Sequence, residues 1–392
     1  MSVDALWYTR CPVPTAFSVA VRLGWIDEEF AGDGIKVASL LSSDVRQTRE
    51  SHFAHTQPNS LRHGGNIPPL WAFSEGSDVR LIALSWNDEP QALLARPDSD
   101  IRALADLKGW RLGVPRRLND SIDFWRATVL RGYESVLSIA GLTERDVEFV
   151  DIPIVRAWLD DSPSHRTRGG SLWGAASTRS FQREEAVALL TGKVDAIFSA
   201  HAHAADIKAF LGARVVVDIG KHPDRRLRIN NGTPLALTAS GALIKERPDL
   251  VARWLANVLQ AAEWARTHRN ETLRIVAAES GVAEEIALEA FGENLPDQLS
   301  VDLSDDKVAA LDAQKEFLLS HGFIGKDFDI EKFIVRGPLA EANSIINDSR
   351  RRLSKPWLYK SKLQPFFVSG PQKIFRGISR VVPATRWPSF SD

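Results

Sequence analysis

The sequence predicts an α/β protein built as two lobes, and three observations point there. Strand-like and helical runs alternate along most of the chain, the pattern of a parallel sheet with helices on its faces. At 392 residues the chain is too long for one small core. Near Leu227 to Ala239 it turns back toward its first lobe, so that lobe is discontinuous. The expected division is lobe one over residues 1–100 and 225–340, lobe two over 101–224, and a C-terminal extension over 341–392.

In chain order, Asp4 to Thr9 is a short extended run. Pro14 to Leu23 has helical apolar spacing and stops at Gly24, as a helix does at a left-handed cap. Gly34 to Leu41 and Arg80 to Trp86 read as strands, while Gln57 to Pro69, rich in Pro, Asn and Gly, reads as a shaped loop. A lobe boundary is expected near Ala95 to Asp106, followed by a parallel strand ending at Pro115. Lobe two continues as a helix over Ser121 to Ala140, a strand over Val147 to Ile152, a polar loop over Asp160 to Gly174 and a helix over Ser180 to Leu190. Val194 to Ser199 and Arg214 to Ile219 close it as strands. After the return, Thr233 to Ser240 is extended, Pro248 to His268 is a long helix, and helical hairpins run to about Phe323. From Ser349 to Ser391 there are ten Lys or Arg and no Asp or Glu. That tail is either a solvated or strapping extension or a contact for an anionic surface.

With 44% hydrophobic and 25% charged residues and a net charge of −1, the composition is that of a globular protein without a global field for nucleic acid or anionic membrane. A single cysteine excludes an internal disulfide. The first residues lack a basic run followed by an apolar one, and no segment nears the roughly 18 apolar residues of a membrane span. The expectation is a cytoplasmic protein with no integral membrane segment and no nucleic-acid partner.

Chemistry concentrates in two stretches. Cys11 follows an extended run and heads the turn Cys-Pro-Val-Pro, whose prolines restrict the backbone around the thiol. About forty residues on, HFAHTQPNSLRHGGNIPP carries His52, His55, Gln57, Arg62, Gly64 and Gly65. Taken singly these are unremarkable: a lone cysteine is usually a small buried apolar residue, and a lone Arg is a surface charge. As a set, a thiol, an imidazole, a guanidinium and a Gly-Gly turn can bind and attack a small oxyanion. Elsewhere, His201 and His203 in SAHAHAAD are too few and too close for a metal site and are candidates for the cleft wall. Arg116, Arg117, Asn119 and Asp120 follow a strand end, where ligands bind in parallel sheets, and are candidates for anion contact.

The order DLKGWRLGVP, KVDAIFS, GARVVVDIG and SGALIKERPDLVARWLANVLQAAEWA resembles type II periplasmic binding proteins of the nitrate, sulfonate and taurine-binding branch, over about Asp4 to Gly322. That resemblance implies a two-lobed α/β fold with a ligand cleft between the lobes. Locally, YTRCPVP followed by HFAHTQPNSLRHGGNIPPL resembles the aromatic sulfinate desulfinases of biodesulfurisation. The resemblance implies a catalytic trio of Cys11, His52 and Arg62, a binding glycine at Gly65, and no metal or organic cofactor. Thr9, His55, Gln57 and Gly64 complete the expected substrate contacts. The family has Tyr-Ser-Asn-Cys where this chain has Tyr8-Thr9-Arg10-Cys11, and a tyrosine where His55 stands. Lobe two diverges, so the biphenyl specificity does not carry over.

In that chemistry Arg62 grips the sulfinate oxygens with its planar fork and His52 orients and tunes the thiol. Cys11 either protonates the ring carbon or attacks sulfur as a thiolate; the sequence leaves both routes open. The expected function is a cofactor-independent desulfinase releasing sulfite from an organic sulfinate. The alternative is a transporter-type solute-binding protein for sulfonate- or nitrate-like anions, with an ABC permease as partner. A pyrimidine synthase of this architecture would carry several cysteines, and one cysteine argues against it.

Overall fold

The computed structural model describes residues 3–161 and 181–353. Two sheets organise them. The first runs β11-β4-β10-β3-β1-β2, from β1 (Ala5–Arg10), β2 (Lys36–Ser39), β3 (Ser60–Gly64), β4 (Val79–Ser85), β10 (Leu235–Ser240) and β11 (Val301–Asp302). The second runs β7-β6-β8-β5-β9, from β5 (Gln91–Ala95), β6 (Arg111–Arg117), β7 (Glu148–Ile154), β8 (Ala196–Ala200) and β9 (Arg214–Asp218).

Both sheets are mixed. β1, β2 and β3 are parallel, as are β6, β7 and β8, because helical connections return the chain to the same sheet edge. β5 and β10 arrive by crossing from the other sheet, and both pair antiparallel to their neighbours. The parallel-sheet expectation is corrected at these two strands and at β11, which pairs antiparallel to β4. The boundary moves as well. Gln91–Ala95 belongs to the second sheet, so the first crossover is residues 86–90 rather than the stretch after Ala95, and the second is 219–234.

A further correction concerns Gln57 to Pro69. It is not one loop: Ser60–Gly64 is a buried interior strand, and Ile67–Ser74 is a helix with proline in its first turn, where a missing N–H costs nothing. The turn into the strand is made at Asn59, which takes a positive φ of 52°. Within the polar loop expected over Asp160 to Gly174, residues 162–174 lie outside the described residues, as does the tail beyond Leu353.

Helix Pro248–Thr267 covers the first sheet and buries Trp254, whose ring meets Phe17 edge-on at 5.3 Å and stacks on Phe30 at 5.8 Å. Phe17 belongs to helix Ala16–Arg22, which starts directly after the cysteine turn. Thr15 caps that helix by accepting from Ser18 N–H at 3.0 Å. Packing and capping together fix where β1 ends, and Cys11 is the next residue.

Candidate active site

The cysteine turn has few backbone donors, since Pro12 and Pro14 have no N–H. Both available ones are used: Cys11 N–H donates to His63 O at 3.2 Å and Val13 N–H to Cys11 O at 2.8 Å. The half-buried thiol is thereby aimed over β3. Strand alternation does the rest. In β3, Leu61 and His63 face the helix side, where His63 stacks near Phe17 and bonds Ser85 Oγ at 3.1 Å. Arg62 and Gly64 face the other way, and Thr9 of β1 is the register partner of Arg62.

Helix Arg46–Ala54 delivers His52 to that face and ends at His55, which takes a left-handed φ of 52° as its C-cap. The trio then meets. Arg62 Nη2 donates to Cys11 Sγ at 3.3 Å, and His52 Nε2 lies 3.9 Å from the same sulfur. Thr9 Oγ1 and His52 Nδ1 are 2.7 Å apart, so the hydroxyl orients the imidazole. On its outer face His52 stacks on Trp158, centroids 4.5 Å apart and planes within 15°.

The electrostatics are unusual in one respect. Arg62 is 2% exposed, and among the described residues no carboxylate pairs with it. Its Nη1 donates to Gly65 O at 2.8 Å, and its Nε has no partner. Burial lowers its pKa, and the only group that opposes this is Cys11. A buried cation without a counter-charge is costly, so this pocket favours a bound anion beside it. Burial first and the Arg62 charge second hold His52 well below the ordinary histidine range. The same causes push His55 and His63 down to about 3. All three imidazoles are therefore neutral near pH 7.

Cys11, His52, Arg62 and Gly65 line one cleft of about 590 Å³, its open mouth included. Its walls are aromatic: Phe53, Phe124, Trp125, Trp158 and Phe181. Asn231, His201 and His203 complete it from the second crossover and the end of β8.

The other expected contacts fall elsewhere. Gly64 lies under the thiol, where an added Cβ would sit 2.3 Å from Sγ. Thr9 and His55 sit behind the trio, beside a smaller void, and His55 Nδ1 is engaged by Phe53 O at 2.9 Å. Gln57 lines neither space; its N–H donates to Ser51 Oγ at 2.7 Å and helps close the turn after the helix. Thr9, His55 and Gln57 thus lie outside the cleft lining, Thr9 engaged by His52 and His55 by Phe53.

Arg116, Arg117, Asn119 and Asp120 are also absent from the cleft lining. Arg117 pairs with Asp120, whose other oxygen accepts from Trp158 N–H at 2.7 Å. The Arg117 guanidinium lies 6.0 Å and 5.7 Å from the Phe124 and Phe181 rings. Arg117 and Asp120 hold the aromatic wall from behind.

Another wall support is Glu185, buried, with Oε1 accepting from Trp125 Nε1 at 2.7 Å and Oε2 unpartnered. Burial pushes its carboxyl up to about 7. A raised folded pKa means stability that is complete below the unfolded value and is lost as pH rises through about 7. Glu185→Gln keeps the acceptor for Trp125 and removes the ionisation. The variant is expected to gain stability over the parent at pH 8, by on the order of 3 kcal/mol at most, and little at pH 4. Denaturant titrations at both pH values check this; a stability difference independent of pH would contradict it.

No family model matches the chain. It is 31% identical over 351 residues to the 2'-hydroxybiphenyl-2-sulfinate desulfinase of Rhodococcus erythropolis, spanning 84% of this chain and 91% of that protein. Among solved structures it resembles a cysteine-to-serine variant of the desulfinase DszB in complex with biphenyl-2-sulfinic acid. The TM-score there is 0.68 at 27% identity, over 88% of this chain and 100% of the other. The periplasmic aliphatic sulphonate binding protein of Escherichia coli shares the fold, with a TM-score of 0.60 at 16% identity over 86% of this chain and 93% of that one. Among the described residues no helix is long and apolar enough to cross a membrane.

Proposed function

The chain belongs to the family of 2'-hydroxybiphenyl-2-sulfinate desulfinases, and on that premise we propose that it cleaves the carbon–sulfur bond of an aromatic sulfinate and releases sulfite. The observation that supports this most is the buried, carboxylate-free Arg62 donating to the sulfur of the single cysteine at the mouth of an aromatic cleft. Cys11, His52 and Arg62 are the catalytic residues, and Gly65 lines the anion end.

In this scheme the Cys11 thiol gives its proton to the ring carbon that bears sulfur. The new C–H bond takes a ring π pair; the C–S pair then returns to the ring and sulfur dioxide departs. Water adds to sulfur dioxide to give hydrogen sulfite and one proton, which restores the thiol. The negative charge moves from the sulfinate oxygens to the Cys11 sulfur, and Arg62 contacts both positions, so no charge is stranded during the step. The Thr9 hydroxyl donates to Nδ1 of neutral His52, which leaves Nε2–H directed at the sulfur to hold the thiolate. The scheme takes the acid route of the two left open by the sequence, since a ground-state thiolate would compete with an incoming anion for Arg62. The scheme uses no cofactor, as the resemblance implies.

Five aromatic side chains in the lining predict substrate class. Benzenesulfinate is expected to be turned over with kcat/KM at least about fivefold above methanesulfinate, one stacked ring being worth roughly 1 kcal/mol or more. Sulfite release over a panel of aryl and alkyl sulfinates tests the proposal. Tight binding of sulfonates with no sulfinate consumed would instead favour the solute-receptor reading, under which a permease becomes the partner.

Gly64→Ala gives an independent check on the sulfur's placement. The added Cβ would stand 2.3 Å from Sγ and 2.9 Å from Cys11 Cβ, and the thiol must shift. Displacement on this scale is expected to lower kcat about a hundredfold. Unchanged turnover would show that the thiol position does not matter.

A further inference from the structure

The anion end of the cleft holds a donor that the trio does not account for. Asn231, in the second crossover, lines the cleft beside Gly65 and is 7% exposed. Its backbone O accepts from Asn66 N–H at 2.8 Å, and its Oδ1 accepts from Ile67 N–H at 3.0 Å. Its own N–H donates to Asn230 Oδ1 at 2.8 Å. Nδ2 has no protein partner among the described residues. Gly65 makes room for this amide: an added Cβ would overlap Asn231 Oδ1 and stand 2.7 Å from Nδ2. The next residue is held as closely. A Cβ on Gly232 would overlap Glu89 Oε1 and stand 2.5 Å from His201 Cε1, and Glu89 Oε2 itself lies 2.6 Å from His201 Nδ1. The crossover is thereby fixed on both sides of Asn231, and its side chain is preorganised with the nitrogen end free.

Helix Ile67–Ser74 starts at this point, and a helix start is ordinarily suited to an anion. Here it cannot serve one directly. The N–H groups of Asn66 and Ile67 are spent on Asn231, and Pro68 and Pro69 have none. Asn231 passes the field of that helix end onward, since an amide whose oxygen accepts a hydrogen bond is polarised into a better donor at nitrogen. On the other side of Gly65 stands Arg62, whose Nη1 donates to Gly65 O at 2.8 Å and whose Nη2 donates to Cys11 Sγ at 3.3 Å. A guanidinium already shared between a carbonyl and the thiol leaves the second sulfinate oxygen in need of another donor. Resting on the desulfinase reading, we infer that Asn231 Nδ2 binds that second oxygen, with Arg62 on the first. Negative charge leaves both oxygens as sulfur dioxide departs, so this contact is strongest in the bound ground state. Arg62 follows the charge to the Cys11 sulfur, and Asn231 does not. Asn231 thereby sets substrate affinity and leaves the rate of the step to the trio.

Benzenesulfonate presents a like anion and resists cleavage, so its binding reads the contact apart from turnover. Calorimetry would compare the full chain with Asn231→Ala and Asn231→Asp. The alanine variant is expected to bind at least about tenfold more weakly, the scale of one hydrogen bond to a charged group. The aspartate variant keeps the acceptor for Ile67 N–H, and so covers the case in which the alanine variant does not fold. It replaces the donor by a like charge and is expected to bind more weakly still. In sulfite release from benzenesulfinate the loss is expected in KM, with kcat not lowered. Parental affinity in either variant, or a fall in kcat at unchanged KM, would overturn the contact and leave Asn231 a cap on the helix alone. Weakened benzenesulfonate binding in both variants, beside a parent that releases no sulfite, would support the contact and remove the desulfinase reading instead.

Discussion

Cys11→Ser is expected to lower sulfite release from benzenesulfinate about a thousandfold while the protein remains folded. Positioned acid–base groups contribute roughly 10²–10⁴ to rate, and serine's hydroxyl is a much weaker acid than a thiol. The substitution is nearly isosteric. It leaves in place the backbone bonds of the turn, from Cys11 N–H to His63 O and from Val13 N–H to Cys11 O. Binding of benzenesulfonate is therefore expected to persist, so the loss falls on kcat rather than on ligand affinity. A Cys11→Ser variant with near-parental turnover would remove the thiol from the mechanism.

Arg62→Lys carries the second largest effect, a fall of roughly 10²–10³ in kcat/KM, the scale seen when one preorganised anion donor is lost. Lysine keeps the charge, so His52, His55 and His63 are expected to stay neutral, as an NMR titration of their ring protons would show. What it loses is geometry. The guanidinium spans Gly65 O at 2.8 Å and Cys11 Sγ at 3.3 Å from one plane, and an ammonium on a shorter stem cannot reach both. The result that would contradict this is full activity in the lysine variant, since it would reduce Arg62 to a point charge.

The sequence carried the alternation of strands and helices well, because period and punctuation are local signals. It failed where tertiary context overrides them. Ser60–Gly64 is a buried strand with Arg62 and His63 in it, preceded by Pro58 and Asn59 and followed by Gly65, so its composition reads as a loop. The polar residues are there for the site, and the glycine at 64 leaves room for the sulfur above it. Gln91–Ala95 reads from the sequence as part of lobe one because a crossover has no periodic signature of its own; only its pairing with β8 and β9 assigns it to the second sheet.

The trio was legible because its members lie in two short motifs. The wall was not. Trp158 stacks on His52 from more than a hundred residues away, and Glu89, His201 and Gly232 meet only because two crossovers and a strand end converge. His201 and His203 do signal the cleft in the sequence, and the structure places both in the first turn of helix His201–Leu211. Thr9 entered as a substrate contact, and the structure makes it the partner that orients His52.

The account as a whole stands on acid-assisted cleavage of carbon from sulfur at Cys11. It is tested most directly by incubating the purified protein with benzenesulfinate in D₂O and quantifying sulfite and benzene together. Equimolar sulfite and benzene in excess over protein, with deuterium on the carbon that lost sulfur, is the predicted result. Saturable binding of benzenesulfinate with neither product formed would contradict it.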